Sequence, residues 1–313
     1  MKSIEFEYVQ YQVCGTNVTF VLDKNNHDWY FETVRTKKPF SNPIQHHLIK
    51  IQELSEYPDI KYADFGANIG VTSLFAANMG ISTLAVEAGV KNFILLSEAS
   101  STNNLKELFR PVYQAASAHR DVAMFSENSA WGSISRKDTG TSLIPTDNIF
   151  NILQVQGFTD AHAIKVDIEG AELDAFTEFE NILETRDSLP DLIVESNDTA
   201  SHRSGYSSQE LWSRIISIGY DVYLIEGKTL MPVTKNCLQP SPVMDFLATT
   251  RSGDELSRDF EYKIVEYKHQ NTIDKLNALL ESHSEKKGIE DFFERQIQFY
   301  NTQVDSKKHT QSV

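Results

Sequence analysis

The chain has 313 residues, 40% hydrophobic and 11% aromatic, and carries a formal net charge of −15. Such a chain can bury a sizeable core, which argues against global disorder. The negative charge argues against non-specific binding to nucleic acid or to an anionic membrane, because both need clustered Lys and Arg. Cys14 and Cys237 are far apart and lack Cys-x-x-Cys spacing, so neither a disulfide framework nor a zinc site is predicted.

The N-terminal region combines a predicted β-ribbon with a helix. Apolar residues alternate with polar ones through 1–38, the period of a strand, and Ile44, Leu48 and Ile51 then follow at helical spacing. We assign residues 1–55 to this ribbon and helix, packed on the core. No apolar run is long enough for a signal peptide or a spanning helix, which predicts a cytoplasmic protein without membrane insertion.

From about residue 59 strands alternate with helices, the pattern of an α/β fold with a doubly wound, mostly parallel sheet. Predicted strands cover 60–64, 82–87, 111–115, 163–167, 192–195 and 221–225, with a hairpin at 122–126 and 132–135 and an edge strand at 244–248. We assign residues 56–250 to this domain. Residues 251–313 form a predicted helical extension, which would pack on the domain, mediate self-association or join an adjoining module.

The most informative segment joins the first strand of this domain to its helix. A short apolar run ends at Asp64, and Gly66, Asn68 and Gly70 follow before the helix. Glycine permits a tight turn and close approach of a ligand, and a helix N-terminus offers free N–H groups. Glu87 ends the next strand, where an acid can accept both hydroxyls of a ribose. Together these residues predict a nucleoside-binding half-domain.

The same segment indicates which nucleoside is bound. A dinucleotide site needs Gly-x-Gly-x-x-Gly, because the pyrophosphate lies against the glycine turn. Here the middle glycine is absent, and the carboxylate of Asp64 would repel a pyrophosphate. It suits a cationic amino-acid ligand such as S-adenosylmethionine. A nicotinamide-dependent oxidoreductase is therefore the disfavoured alternative.

The strand at 163–167 carries charges where a buried strand should be apolar. Lys165, Asp167 and Glu169 alternate with aliphatic residues, an arrangement that is costly unless the charges pair or contact a ligand. One interpretation is a structural ion pair of Lys165 with Asp167 or Glu195. The other is that neighbouring strand ends present acids to one cleft.

These segments resemble one methyltransferase family. The stretch from Asp64 to Gly70, then Glu87, then 164–172 and 190–195 are similar to the FkbM family of S-adenosylmethionine-dependent methyltransferases over about 45–250. The Lys-x-Asp-x-Glu-Gly-x-Glu signature is more specific than the glycine turn. One departure is Ala88, where the family usually has proline. The resemblance implies a class I methyltransferase-like (Rossmann-like) fold and O-methylation of a sugar, glycan or secondary-metabolite hydroxyl.

The resemblance also implies roles for individual residues. Asp64 and Gly66 would line the methionine end of the cofactor, Glu87 would bind the ribose, and Asp167 would lie between cofactor and acceptor. The full implied cofactor-binding set is Asp64, Gly66, Ala67, Asn68, Gly70, Thr72, Glu87, Ala116, Ser117 and Asp167.

Methyl transfer to oxygen is an in-line displacement that needs alignment and removal of the hydroxyl proton. The predicted catalytic residues are Asp167, Lys165 and Glu195, with Lys165 or a histidine as an alternative base; the candidate histidines are His46, His47, His162 and His202. A divalent cation could instead lower the pKa of the alcohol. Asp167, Glu195 and Asn197 supply oxygen ligands suited to Mg²⁺ or Mn²⁺.

Two further expectations concern function as a whole. The expected partner is a small-molecule or glycan acceptor rather than nucleic acid. The alternative to an enzyme is a non-catalytic cofactor-binding module that acts through its helical tail.

Overall fold

The computed structural model describes residues 3–13, 15–38, 43–55, 59–126, 132–134, 142–233 and 243–266. Most of the predicted helical extension, from residue 267 onward, lies outside these ranges. The first part of that extension contains a short helix, α9 (Gly253–Arg258), and a short strand, β15 (Lys263–Ile264). The described part of the predicted helical extension thus contains a short strand besides a helix.

The N-terminal region forms the predicted ribbon and packs on the core. Strands β1 (Phe6–Val13) and β2 (Thr16–Asp23) pair antiparallel and precede helices α1 (Trp29–Arg35) and α2 (Pro43–Leu54). Alternate residues of β2, including Phe20 and Leu22, are fully buried. They share a cluster with Phe75 and Leu96 of the following domain, so the ribbon covers one side of that domain.

A nine-stranded sheet forms the centre of the fold, in the order β15-β13-β12-β14-β11-β10-β3-β4-β5. Its other strands are β3 (Lys61–Phe65), β4 (Ser82–Glu87), β5 (Phe109–Tyr113), β10 (Ala163–Val166), β11 (Asp191–Asn197), β12 (Asp221–Glu226), β13 (Thr229–Val233) and β14 (Val243–Thr249). The five strands from β11 to β5 are mutually parallel. The carboxyl ends of these strands therefore lie along one edge.

The prediction that the strand at 244–248 lies at the edge of the sheet was wrong. Strand β14 lies inside the sheet, antiparallel to both β11 and β12. Its residues Phe246, Leu247 and Ala248 are buried on both faces, which an edge strand does not require. This insertion puts the start of β14 beside the end of β11.

Helices cover both faces of the central sheet, as expected for a doubly wound fold. They are α3 (Ser73–Asn78), α4 (Val90–Thr102), α5 (Ile149–Gln156), α6 (Glu172–Ala175), α7 (Asp198–Ser204) and α8 (Ser208–Ile218), with a 3₁₀ helix at Phe179–Glu184. None of the helices in the described part of the chain has both the length and the apolar character needed to cross a bilayer.

A second, four-stranded sheet stands next to the end of β5. Its strands are β6 (Ala115–Ala116), β7 (Asp121–Ser126), β8 (Ser133–Ile134) and β9 (Ser142–Asp147). The antiparallel pairing of β7 with β8 agrees with the predicted hairpin. Phe125 and Ile144 form its small apolar core.

Candidate functional site

A cavity of about 230 Å³ opens at the carboxyl ends of the central parallel strands. Nine residues of the predicted site line it: Gly66, Ala67, Asn68, Thr72, Glu87, Ala116, Lys165, Asp167 and Glu195. Four do not belong to the lining, namely Asp64, Gly70, Ser117 and Asn197. Nine of the predicted residues therefore meet at one cavity, and the four exceptions have separate structural reasons.

The glycine turn after β3 is held against two neighbouring segments. Gly66 has a φ of +83°, and a Cβ there would lie 1.7 Å from the backbone oxygen of Asp167. The N–H groups of Gly66 and Ala67 both donate to Val86 O, at 2.9 and 3.1 Å. Only glycine fits position 66, so the turn and the loop after β10 lie backbone to backbone.

Gly70 has a packing role rather than a place in the lining. Its φ is +85°, and a Cβ would lie 2.8 Å from side-chain carbons of both Leu74 and Leu96. This close contact sets α3 against α4. The predicted contribution of Gly70 to cofactor binding is thus indirect, through the course of the turn.

The carboxylate of Glu87 is fixed by backbone donors on both sides. Its Oε2 accepts from the N–H of Asn68 at 2.7 Å, and its Oε1 accepts from the N–H of Gly89 at 2.7 Å. Burial raises the pKa of Glu87 to about 7, against the opposing effect of the two N–H donors. Each oxygen keeps a further lone pair, so the group can still accept hydrogen bonds from a ligand.

Asp64 lies below the cavity lining and supports two residues that reach it. Its side chain is 0% exposed, Thr72 Oγ1 donates to its Oδ2 at 2.6 Å, and Lys165 Nζ lies 3.8 Å from its Oδ1. Asp64 Oδ1 has no hydrogen-bond partner. Asp64 therefore positions Thr72 and Lys165, and does not itself line the methionine end as predicted.

Lys165 is a buried cation between two acids. Its Nζ donates to Asp167 Oδ2 at 2.8 Å, in addition to the contact with Asp64. Burial alone disfavours the ammonium form, but Asp167 and Asp64 hold the pKa of Lys165 well above its ordinary value. A protonated lysine cannot accept a proton, so these contacts favour a positioning role for Lys165 over the predicted role of a base. Of the two ion-pair partners predicted for Lys165, Asp167 and Glu195, the structure shows the pair with Asp167.

Three carboxyl groups face one another beyond β10 and β11. Oxygens of Asp167, Glu169 and Glu195 all lie within 4.8 Å of one another. Burial, followed by the charge of Asp167, raises the pKa of Glu169 to about 8 and that of Glu195 well above its ordinary value. Asp245 on β14 lies opposite Glu195 in the register. Three acids therefore lie beside one lysine, and the raised pKa values of the two glutamates favour their protonated forms.

Asn197 caps a helix with its amide oxygen and directs its amide NH₂ group toward Glu169. As the N-cap of α7, its Oδ1 accepts from the N–H of Ala200 at 3.1 Å, while its Nδ2 donates to Glu169 Oε2 at 3.4 Å. The amide oxygen predicted to bind a metal is therefore used by the helix. Glu169 takes its place in the group of clustered oxygens.

Glu172 and Ser117 each form hydrogen bonds with backbone groups next to the cavity. Glu172 is 1% exposed, and its Oε1 accepts from the N–H groups of Ile168 and Gly170 at 3.2 and 3.1 Å. This fixes the loop that carries Asp167. Ser117, predicted near the adenine, donates its N–H to Asp147 O at 2.8 Å in the second sheet, one residue beyond the cavity lining.

The candidate histidines are outside the cavity lining. His47 is fully buried and contacts Asp191 Oδ2 at 3.1 Å, at the start of β11. His46 contacts Phe260 O at 2.8 Å, and His162 Nδ1 accepts from the N–H of Lys61 at 3.2 Å. These three lie at the amino ends of the strands, the edge opposite the cavity. The prediction of a histidine base was wrong for them, and His202 on α7 does not line the cavity either.

The cavity also contains residues that the sequence interpretation missed. They include Trp29, Tyr30, Asn92, Phe125, Glu169 and Val243. Glu169 shared the alternation of Lys165 and Asp167 and could have been chosen with them. The two aromatic residues of α1 had no sequence signal, because their position depends on how the ribbon packs.

Comparisons with known proteins are limited to structure. No protein-family model and no curated protein matches the chain. A SAM-dependent methyltransferase from Agrobacterium tumefaciens is 11% identical with a TM-score of 0.42, covering 80% of this chain and 72% of that one. Precorrin-6y C5,15-methyltransferase from Geobacter metallireducens is 12% identical with a TM-score of 0.37, covering 69% and 91%. The T. thermophilus 16S rRNA methyltransferase RsmC, in complex with AdoMet and guanosine, is 13% identical with a TM-score of 0.37, covering 80% and 51%.

The chain thus spans about half the length of RsmC. The central sheet, with five parallel strands and helices between them, has the doubly wound α/β architecture that the sequence predicted. This part of the prediction is confirmed.

Proposed function

We propose that the chain is an S-adenosylmethionine-dependent O-methyltransferase of the FkbM type, acting on a hydroxyl of a sugar, glycan or related small molecule. The observation that carries the proposal is the Glu87 carboxylate. It ends β4 beside the glycine turn, and the N–H groups of Asn68 and Gly89 fix it in place. A fixed carboxylate in this position suits the two hydroxyls of a ribose.

The cavity residues suit the rest of this cofactor. Gly66 leaves the backbone open where a side chain would collide with Asp167. Among the described lining residues the single cation, Lys165, is already paired with Asp167, so a pyrophosphate would find no counter-charge, whereas a ligand with ammonium and sulfonium charges needs none. The second sheet supplies Ala116 to the lining, next to where the adenine is expected.

The acids beyond β10 and β11 suit the activation of a hydroxyl. The bound cofactor supplies an electrophilic methyl group, so the chain needs to orient the acceptor and take its proton. Lys165 holds Asp167 in one orientation, which suits Asp167 for accepting a hydrogen bond from the acceptor. We assign the role of general base to Glu195 in its ionised form, because it lines the cavity within 4.8 Å of Asp167, while Asp167 itself accepts from Lys165. The raised pKa of Glu195 means that this form is populated only as the pH rises.

A divalent cation is the alternative means of activation. Asp167, Glu169 and Glu195 are hard oxygen donors at mutual distances that fit Mg²⁺ or Mn²⁺. Lys165 competes for Asp167 at 2.8 Å. We therefore favour the metal-free route and keep the cation as an outcome of the chelation experiment described in the Discussion.

The acceptor class and setting are also proposals. The charge of −15 favours a small-molecule or glycan acceptor over nucleic acid, and a cytoplasmic location follows from the sequence argument. Secondary-metabolite methylation remains the alternative substrate class, and a cofactor-binding module without catalysis is the alternative to an enzyme.

Calorimetric titration tests the proposal directly. Purified protein should bind S-adenosylmethionine and fail to bind NAD⁺, and it should release S-adenosylhomocysteine when given a glycoside acceptor. Binding of NAD⁺ in preference would contradict the cofactor assignment. Cofactor binding without turnover on any hydroxyl acceptor would favour the non-catalytic module.

A further inference from the structure

Two aromatic side chains from the N-terminal region form part of the same cavity. Trp29 and Tyr30, the first residues of α1, line it together with Lys165 and Asp167. Trp29 is 70% exposed and Tyr30 is partly buried. Their ring centroids are 6.3 Å apart and their planes are inclined by 53°. The region that carries them lies outside the part of the chain that resembles the methyltransferase family.

The helix that carries this aromatic pair is firmly anchored. Asp28 caps it by accepting from the N–H of Phe31 at 2.9 Å, and the side chains of Phe31 and Val34 are fully buried. Arg35 Nε donates to Glu7 Oε2 at 2.7 Å, which ties the end of the helix to β1. Trp29 is therefore an exposed indole on a fixed base, where a ligand can pack without ordering the backbone.

Tyr30 lies within the electrostatic reach of the catalytic charges. Burial raises the pKa of its hydroxyl, Lys165 opposes the shift, and Asp167 adds to it. The phenol therefore stays neutral and can donate or accept a hydrogen bond. The aromatic pair therefore brings a neutral polar group close to the charged residues of the cavity.

The charged residues of the lining restrict which ligands can bind beside the aromatic pair. Among the described lining residues, the acids are Glu87, Asp167, Glu169 and Glu195, and the only cation is Lys165. Since Lys165 is already paired with Asp167 and Asp64, no positive side chain is available to pair with an acceptor phosphate or carboxylate. An anionic acceptor would therefore be buried without a counter-charge, beside the carboxylate of Asp167.

We propose that Trp29 and Tyr30 form the acceptor-binding wall of the cavity, which packs against the apolar face of an uncharged, hydroxyl-bearing ring and rejects phosphorylated acceptors. The proposal rests on the proposed methyltransferase function and adds residues that determine its specificity. The indole supplies broad apolar contact at small entropic cost, while the carboxyl groups that line the same cavity form hydrogen bonds with ring hydroxyls.

The test uses the full chain loaded with S-adenosylhomocysteine, with loading checked by calorimetry. Saturation-transfer NMR is then recorded with methyl glycosides of glucose, galactose, mannose and rhamnose, and with glucose 6-phosphate and galactose 6-phosphate as anionic probes. The variants are Trp29→Ala and, as a matched control, Tyr8→Ala. Tyr8 is a 52% exposed aromatic residue of β1 that does not line the cavity.

We expect saturation transfer to at least one methyl glycoside and none to either sugar phosphate. The signal should fall by about fivefold or more in Trp29→Ala and persist in Tyr8→Ala. A signal that survives in Trp29→Ala, equal transfer to the phosphates, or no transfer to any glycoside would overturn the proposal. Failure to bind S-adenosylhomocysteine would instead refute the proposed function, so the two failures are distinct.

Discussion

Lys165 and Asp167 are joined by a hydrogen bond of 2.8 Å between Nζ and Oδ2, two residues apart along the end of β10. Side chains at this spacing leave a strand on the same face. The pair therefore faces the cavity as one unit, with Asp64 behind it. This arrangement makes the lysine a positioning residue for the carboxylate that we expect to contact the acceptor.

Replacing this lysine should affect both stability and turnover. Lys165→Met leaves buried Asp64 and neighbouring Asp167 without their cation, which should cost about 3–5 kcal/mol of unfolding free energy. Turnover per folded molecule should fall by about tenfold or more, because Asp167 loses the group that orients it. Denaturant melts combined with rate measurements would report both effects.

The control for this variant is Lys61→Met. Lys61 forms a more exposed pair with Asp160 at 2.8 Å, so its loss should cost about 0–1 kcal/mol. If Lys165→Met turned over substrate as fast as the unmodified protein, the ion pair would have a structural role alone.

Loss of the ribose acceptor should weaken cofactor binding. Glu87→Ala should reduce the affinity for S-adenosylmethionine by about 1.5–3 kcal/mol, the range for hydrogen bonds to a charged group. Calorimetry measures this directly, and Glu98→Ala on the neighbouring helix α4 serves as the control. Unchanged affinity in Glu87→Ala would remove Glu87 from the site.

The pH dependence of cofactor binding follows from the same residue. Because the pKa of Glu87 is about 7, the carboxylate is mostly protonated at pH 6 and mostly ionised at pH 8. The ionised form is the better acceptor for two hydroxyls, so affinity should increase across this interval. Glu87→Gln should show a flatter profile, and an equally steep profile in that variant would assign the titration to another group.

The proposed base predicts a catalytic defect without a binding defect. Glu195→Gln should lower kcat by about 10²-fold or more while the calorimetric affinity for S-adenosylmethionine stays the same. Asp245→Asn is the matched neighbour, since Asp245 faces Glu195 in the register but does not line the cavity. We expect a much smaller loss there. Equal losses in both variants would indicate a general electrostatic effect instead of proton transfer at Glu195.

Treatment with a chelator distinguishes activation of the acceptor by a general base from activation by a divalent cation. We expect activity to survive exhaustive treatment with EDTA, since Lys165 already neutralises Asp167. Activity that vanishes with EDTA and returns with Mg²⁺ or Mn²⁺ would identify Asp167, Glu169 and Glu195 as metal ligands. Asp167→Asn would then lose metal binding together with turnover.

Local spacing in the sequence was sufficient to bring Gly66 and Glu87 to the same cavity. The positions of Gly66 and Glu87 relative to their strands predict a turn and an acid that the fold brings together, since both depend on short segments and on the direction of parallel strands. The sequence also offered Asp167 as one of two ion-pair partners for Lys165, because the two residues are close together in the same short segment.

The remaining part of the cavity lining could not be predicted in this way. Asn197 follows a strand as a metal ligand would, yet it also precedes a helix, and capping uses its oxygen. The position of β14 depends on sheet order, which differs from chain order. Trp29 reaches the cavity through the packing of the ribbon, a long-range contact that no local pattern encodes.

The tight contact at Gly66 has a consequence for how this site can change over time. Because a methyl group at position 66 would overlap the backbone oxygen of Asp167, any other residue there would displace two loops at once. Saturation mutagenesis at this position should therefore recover glycine alone among active clones. Substitutions of the acids around Asp167 are therefore compatible with the fold only if the backbone of Asp167 keeps its position against Gly66.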